Sequence, residues 1–303
     1  MSYERVVQNI KAAQLLPPDE AVPLLAKCAR QGFPLASTKA IEALAGQNLP
    51  TVVQTLLDLY TWAEEAPDND RVCDIRIALA EALGNSYSQY AVETLRRAVR
   101  TIRVARIGPG LEDTGINLRA TAAIALAKTD PNALYELSLL LFDYEPHKDT
   151  PTAPVNVPYV KAPARRAAAM AIGILGDLGG APLLAVKLRH SQGEVADVLA
   201  ECLESLIAMK VEYVMEVVEP YLRGADDYLS AITALALAEN YGREVLTLLL
   251  EILELRTGEA KEHIDTAISV IRSSETKDIL QKLLDDPSPY VRKAAKNGLE
   301  NFT

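Results

Sequence analysis

Arginines between residues 96 and 106 form the densest basic run of this sequence. On a helix with about 3.6 residues per turn, Arg96, Arg100 and Arg103 fall on one side, beside an apolar stripe that includes Leu95 and Val99. A guanidinium row of this kind can hold carboxylate or phosphate groups. The more ordinary interpretation is a solvated face whose arginine stems cover apolar neighbours. We therefore name Arg96, Arg100 and Arg103 as candidate residues for binding an anion or an acidic partner, with the solvated face as the alternative.

A second group of side chains that could do chemistry lies between residues 143 and 163. It contains Asp143, Glu145, His147 and Asp149, and carboxylates and histidines serve acid–base catalysis and metal binding. Their spacing matches no metal-ligand motif, and a proline-rich loop positions side chains poorly, so we expect a solvated loop. The sequence accordingly predicts no catalytic residue, no metal site and no cofactor.

Other side chains of the same stretch could contact a partner. Aromatic residues beside adaptable loops are favoured anchors at interfaces, although they can equally pin a loop onto its helices. The candidate binding residues of this stretch are Tyr144, His147, Tyr159 and Lys161.

Four further arginines recur with similar neighbours. Each is followed by a small residue two positions later and by an aliphatic residue seven positions later. The arginines are Arg76, Arg119, Arg165 and Arg292. They could form a row of ligand-binding cations. A structural role is favoured, in which each arginine donates hydrogen bonds to a turn aspartate or carbonyl. Asp74 and Asp285 are the expected partners of Arg76 and Arg292.

The elements that must position these residues are pairs of helices. In the last unit an apolar helix ends near Leu284, an Asp- and Pro-rich turn follows, and a second helix begins at Tyr290. With the alanine-lined second helices upstream, this pattern resembles the HEAT repeat, including the short HEAT-like form of phycobilin lyases. The fold expected is an all-α superhelix, or solenoid, of about eight HEAT-like helix pairs plus an N-terminal capping helix, in a single domain over residues 1–303.

Three consecutive repeats carry extra residues between their first and second helices. These insertions cover residues 63–72, 104–117 and 143–163. Because they occupy the same point of each repeat, stacking should place them along one edge of the superhelix. Insertions of this kind often mark a binding face.

The composition and charge of the chain limit the classes of partner that it could bind. The chain has 303 residues and a formal net charge of -10, and the excess negative charge lies after residue 193. An acidic field repels phosphate backbones, so nucleic acid is a poor partner. Three scattered cysteines form no paired motif, residues 1–16 lack the apolar core of a signal peptide, and no apolar run is long enough for a membrane span. We expect a soluble cytoplasmic protein without membrane contact.

These patterns favour a non-catalytic scaffold or adaptor that binds a protein partner through its concave face and its edge of long loops. An enzyme is the alternative, because the resemblance also implies a tetrapyrrole (phycobilin) lyase-like enzyme or chaperone. A HEAT-like DNA glycosylase is the third interpretation, and the acidic C-terminal third of the chain argues against it.

Overall fold

The computed structural model describes residues 2–47, 49–65, 67–107, 110–143, 157–300 and 302. The chain divides into two compact units, Met1–Asp177 and Leu178–Thr303. Within the described residues, both units consist of α-helices packed neighbour to neighbour, and one short hairpin is added to the first unit. The predicted all-α solenoid of helix pairs is thereby confirmed. That the two units act as one domain stays a prediction.

The first unit contains one leading helix and four helix pairs. Its helices are α1 (Tyr3–Ala13), α2 (Pro18–Ala29), α3 (Pro34–Ala45), α4 (Thr51–Glu65), α5 (Asp74–Asn85), α6 (Val92–Val99), α7 (Ile116–Thr129), α8 (Leu134–Leu141) and α9 (Val157–Leu175).

Alanine-rich second helices form the core of this unit. The helices α3, α5, α7 and α9 pack in sequence, and each also packs against the first helix of its own pair. The approach of α5 to α7 is close enough that a Cβ added to Gly84 would lie 2.5 Å from the Cβ of Ala125. Small side chains therefore determine how near neighbouring pairs can come.

The second unit contains four helix pairs. They are α10 (Ala181–Arg189) with α11 (Ala196–Ala208), α12 (Val214–Arg223) with α13 (Asp227–Tyr241), α14 (Leu246–Leu255) with α15 (Gly258–Val270), and α16 (Ser274–Leu283) with α17 (Pro289–Glu300). The second helices again pack in sequence. Asp226 and Ser273 cap α13 and α16, since their side chains accept hydrogen bonds from the N–H groups of Leu229 and Thr276.

The insertions differ from the loops expected from the sequence. The first contains a single 3-10 turn at Pro67–Asn69. The second is an antiparallel hairpin of β1 (Val104–Ile107) and β2 (Gly110–Asp113), in which Val104 pairs with Asp113. Val104 and Ile107 favour extended backbone, which explains a hairpin where a loop was expected.

The third insertion is shorter than expected. Helix α9 already begins at Val157, so Pro163 lies inside a helix and not at the end of a loop. Residues 144–156 of this insertion lie outside the described residues. Among the helices that the structure describes, none combines the length and apolarity needed to cross a bilayer.

Candidate ligand-binding cleft

The arginine run begins on α6, which is strongly amphipathic. Leu95, Ala98 and Val99 are buried against the core, while Arg96 and Arg100 project from the opposite side. This arrangement follows from the helical period, since residues four positions apart share a face. The apolar stripe thus fixes the direction in which both guanidinium groups point.

Two buried carboxylates, one directly after α7 and one on α8, accept hydrogen bonds from these arginines. Arg96 Nη2 donates to Asp130 Oδ2 at 2.6 Å, and Arg96 Nη1 donates to Glu93 Oε1 at 3.1 Å. Arg100 Nη2 donates to Glu136 Oε1 at 3.0 Å, and Arg96 Nε lies 3.7 Å from the same oxygen. The hydrogen bond from Arg96 to Asp130 is the main reason that the pKa of Arg96 is raised. The basic run is therefore largely neutralised from within the unit.

Arg100 keeps the most hydrogen-bonding capacity of this group. Its side chain is 61% exposed. Within the part of the chain that the structure describes, the bond to Glu136 is the sole hydrogen bond of the Arg100 side chain. A guanidinium carries five N–H donors, so four donors of Arg100 remain available to a ligand.

A cleft of about 270 Å³ opens beside Arg100. Val99 and Ile102, at the end of α6, form one wall, and Leu139 and Leu140 of α8 form the other. Arg100, Arg119, Glu136 and Asp143 complete the lining. Ile102 and Leu139 are 42% and 53% exposed, so the mouth of the cleft presents apolar surface next to a guanidinium. This combination suits a ligand with an apolar body and a negative end.

The inner side of the cleft is fixed by a buried ion pair. Arg119 is 2% exposed, and its Nη2 donates to Asp113 Oδ2 at 2.7 Å. Its Nη1 donates to the Thr101 carbonyl at 2.9 Å. Asp113, at the end of β2, also accepts hydrogen bonds from the N–H groups of Arg103 and Gly115. The hairpin therefore holds the segment after α6 in place, which positions Ile102 at the cleft.

The same Asp–Arg arrangement occurs one pair earlier. Arg76 Nε donates to Asp70 Oδ2 at 2.9 Å, and Asp70 also accepts from the N–H groups of Ile75 and Arg76 at the start of α5. Burial lowers the pKa of Arg76, but the hydrogen bond to Asp70 and nearby negative charge outweigh it, so the net pKa is raised. The expected partner Asp74 is therefore wrong for Arg76, because the carboxylate that caps the helix is also the one within reach of the guanidinium.

Two further repeat arginines bind carbonyl groups. Arg292 Nη1 donates to the carbonyls of Asp286 and Pro287, so the expected pairing with Asp285 is also wrong. Arg165 is fully buried, and its Nη1 donates to the Asp143 carbonyl at 3.4 Å.

Three of these four arginine sites share a sequence spacing that the sequence analysis missed. An aspartate stands six positions before three of the four arginines, as in Asp70 and Arg76, Asp113 and Arg119, and Asp286 and Arg292. It is a signal that could have identified the turn geometry in advance.

The remaining candidate residues are only partly described. Arg103 lies in the segment between α6 and β1, where its backbone bonds to Asp113 and Thr114. Tyr144 and His147 lie outside the described residues, as do the side chains of Tyr159 and Lys161, whose backbone belongs to α9. The structure thus brings Arg96 and Arg100 together and adds Glu136 and Arg119, which the sequence did not connect with them.

Two of the three insertions lie side by side, as expected from their common position in the repeat. The hydroxyl of Thr114, after the hairpin, donates to the carbonyl of Arg71 in the first insertion at 3.3 Å. Among the described residues, no cluster of three or more His, Cys, Asp or Glu side chains is arranged to hold a metal ion.

Comparisons with known proteins give similarity at the level of solved structures. No family model and no curated protein matches the chain. The structure of human deoxyhypusine hydroxylase in complex with glycerol is similar, with 16% identity, coverage of 93% of this chain and 96% of that chain, and a TM-score of 0.37. A similarity of this size transfers neither activity nor ligand to this chain.

The comparison corrects one expectation. The expectation of a non-catalytic scaffold stands against this comparison, which gives the structure of an enzyme, although a similarity of this size assigns no activity to the chain. The scaffold interpretation is not carried further.

Proposed function

We propose that the first unit binds a small amphipathic organic acid in the cleft between α6 and α8. The observation that carries this proposal is the exposed Arg100 guanidinium, with four unused donors, beside the apolar mouth that Ile102 and Leu139 give the cleft. The acid group would accept charge-assisted hydrogen bonds from the N–H groups of Arg100 that Glu136 does not use. The apolar body would lie between Ile102 and Leu139.

The size of the cleft limits the ligand. Its volume of about 270 Å³ is just below the range of small-molecule sites, which is roughly 300–1,000 Å³. A ligand of about 12 non-hydrogen atoms, at about 0.3 kcal/mol per atom, would bind with a Kd of about 2 mM. A tetrapyrrole is several times larger, so we favour a smaller acid over the bilin implied by the family resemblance.

A matched ligand series tests this proposal. Octanoate, octanol and octylamine share an apolar chain and differ in the head group. We expect the full chain to bind octanoate several-fold more tightly than octanol, and octylamine most weakly, in a ligand-observed NMR titration. Equal affinities for octanoate and octanol would show that Arg100 does not recognise the acid.

A variant pair assigns the binding to Arg100. Arg100→Gln should weaken octanoate binding about 5-fold, because an exposed ion pair contributes roughly 1 kcal/mol or less. Arg97→Gln is the control, since Arg97 lies on the same helix, pairs with Glu64 and does not line the cleft. Similar losses of octanoate affinity in both variants would show that the net charge of the protein, and not Arg100 itself, determines binding. That result would contradict the assignment.

Other features of the chain also remain proposals. Membership of the HEAT-repeat family is supported by the helix pairs and by the recurring turn aspartates and arginines. The single domain over residues 1–303, a protein partner and a cytoplasmic location are predictions from the sequence.

A further inference from the structure

The carboxyl of Asp265, on α15, is the most unusual polar group in the second unit. Asp265 is 0% exposed. Neither of its oxygens accepts a hydrogen bond from any group of the described residues. Buried polar groups are nearly always hydrogen-bonded, and an ionised carboxylate without donors is strongly disfavoured in an apolar core. The environment therefore favours the neutral, protonated carboxyl.

The charges around Asp265 add to this preference. Asp286, in the turn before α17, and Glu262 disfavour a negative charge on Asp265, whereas Lys261 favours it. Lys261 is already engaged, because its Nζ donates to Asp286 Oδ2 at 2.6 Å. Asp286 also accepts from the Ser288 N–H at 2.9 Å, so the ion pair and the turn are joined.

Among the described residues, Lys261 is the positive group that acts on Asp265. Helix α15 packs against α13, α14, α16 and α17, and every Asp, Glu, Lys and Arg on those helices is exposed. Arg256, between α14 and α15, donates to the carbonyls of Leu222 and Gly224. Asp265 is thus fully buried, and the lysine near it is committed to Asp286.

The titration has a defined direction. Burial is the main reason that the pKa of Asp265 is raised to about 7, and repulsion from Asp286 adds to it. The same group titrates near pH 3.9 in an unfolded chain. The folded state therefore binds the proton more tightly, and its stability falls as the pH rises from about 4 through about 7, then levels off.

We propose that Asp265 is a proton-operated latch for the last helix pair, which holds α16 and α17 against α15 while its carboxyl is protonated. On ionisation, Lys261 is drawn from Asp286 toward Asp265, and the turn before α17 loses its ion pair. The contact is tight, because a Cβ added to Gly298 of α17 would lie 2.6 Å from the Cβ of Ser269 of α15. Because the packing leaves no free space, a small shift of α15 therefore loosens its contact with the helix pair of α16 and α17.

Hydrogen–deuterium exchange of the full chain tests the latch. After correction for the intrinsic exchange rate, we expect protection of α16 and α17 to fall about 10-fold or more between about pH 5.5 and about pH 8.5, with little change in α12. Asp265→Asn should abolish this pH dependence. The control Asp278→Asn, an exposed residue of α16, should retain it.

Two outcomes would overturn the proposal. One is equal protection of α16 and α17 at both pH values, and the other is a pH dependence that persists in Asp265→Asn. If that variant does not fold, Lys261→Met provides the decision, because it removes at every pH the ion pair that ionisation of Asp265 would break. Protection of α16 and α17 should then be low at both pH values, and a pH dependence as large as in the unchanged protein would equally exclude the latch.

Discussion

At the scale of single residues, the ion pairs of this chain fall into two energetic groups. Arg119–Asp113 and Arg76–Asp70 are buried, whereas Arg97–Glu64 and Arg189–Glu216 lie at the surface. Removing one partner of a buried pair leaves an uncompensated charge and costs about 3–5 kcal/mol, while a surface pair contributes roughly 0–1 kcal/mol. The buried pairs therefore maintain the turns, and the surface arginines are available for binding.

Arg119→Lys tests how much the two hydrogen bonds of the Arg119 guanidinium contribute to stability. Lysine keeps the charge but cannot donate to both the Thr101 carbonyl and Asp113 in the geometry of arginine. We expect the free energy of unfolding, measured in urea, to fall by about 2–3 kcal/mol. Arg292→Lys is the control; Arg292 is exposed, and its replacement should cost less than about 1 kcal/mol. Equal losses in the two variants would contradict this ranking.

Only part of the cleft could be derived from the sequence. The helical period places Arg96 and Arg100 on one face, and that local pattern was enough to select them. Their partners Asp130 and Glu136 stand 34 and 36 positions away, and they are brought near only because α8 packs beside α6. No local spacing encodes such a contact.

At the scale of elements, the helix pairs were predictable and the insertions were not. Alanines at helical spacing, followed by Asp- and Pro-rich turns, determine where pairs begin and how closely they pack. The hairpin of β1 and β2 was missed because the glycine- and proline-containing sequence after Ile107 was interpreted as a loop. The alternation of Val104 and Arg106 with Ala105 and Ile107 is too short to predict a strand pair by itself.

Gly84→Ala tests the close packing of α5 on α7. Alanine normally stabilises a helix by about 1 kcal/mol relative to glycine. At Gly84 the added methyl would lie 2.5 Å from the Cβ of Ala125, so we expect a net loss of about 1–3 kcal/mol in urea unfolding. Gly46→Ala, at the end of α3, is the control, since its nearest contact would be an ordinary 3.6 Å. Stabilisation by Gly84→Ala would show that α5 and α7 are farther apart.

At the scale of the whole chain, the two units have separate cores and different charge. Most of the excess negative charge of the sequence lies in the second unit, and its buried Lys187–Glu194 pair has an N–O distance of 2.6 Å. In repeat folds, contacts join mainly neighbouring elements, and cooperativity can break down along the array. We therefore expect the two units to unfold as separate cooperative steps.

The single tryptophan makes this expectation measurable. Trp62 lies on α4, so its fluorescence reports the first unit, whereas far-UV circular dichroism reports helices of both. Gly84→Ala should lower the urea midpoint of the fluorescence transition. Gly298→Ala, which would place a Cβ 2.6 Å from the Cβ of Ser269, should leave the fluorescence midpoint unchanged and lower only the remaining part of the circular dichroism transition. If both variants shift both signals equally, the chain unfolds as one unit, and the energetic separation of the two cores is refuted.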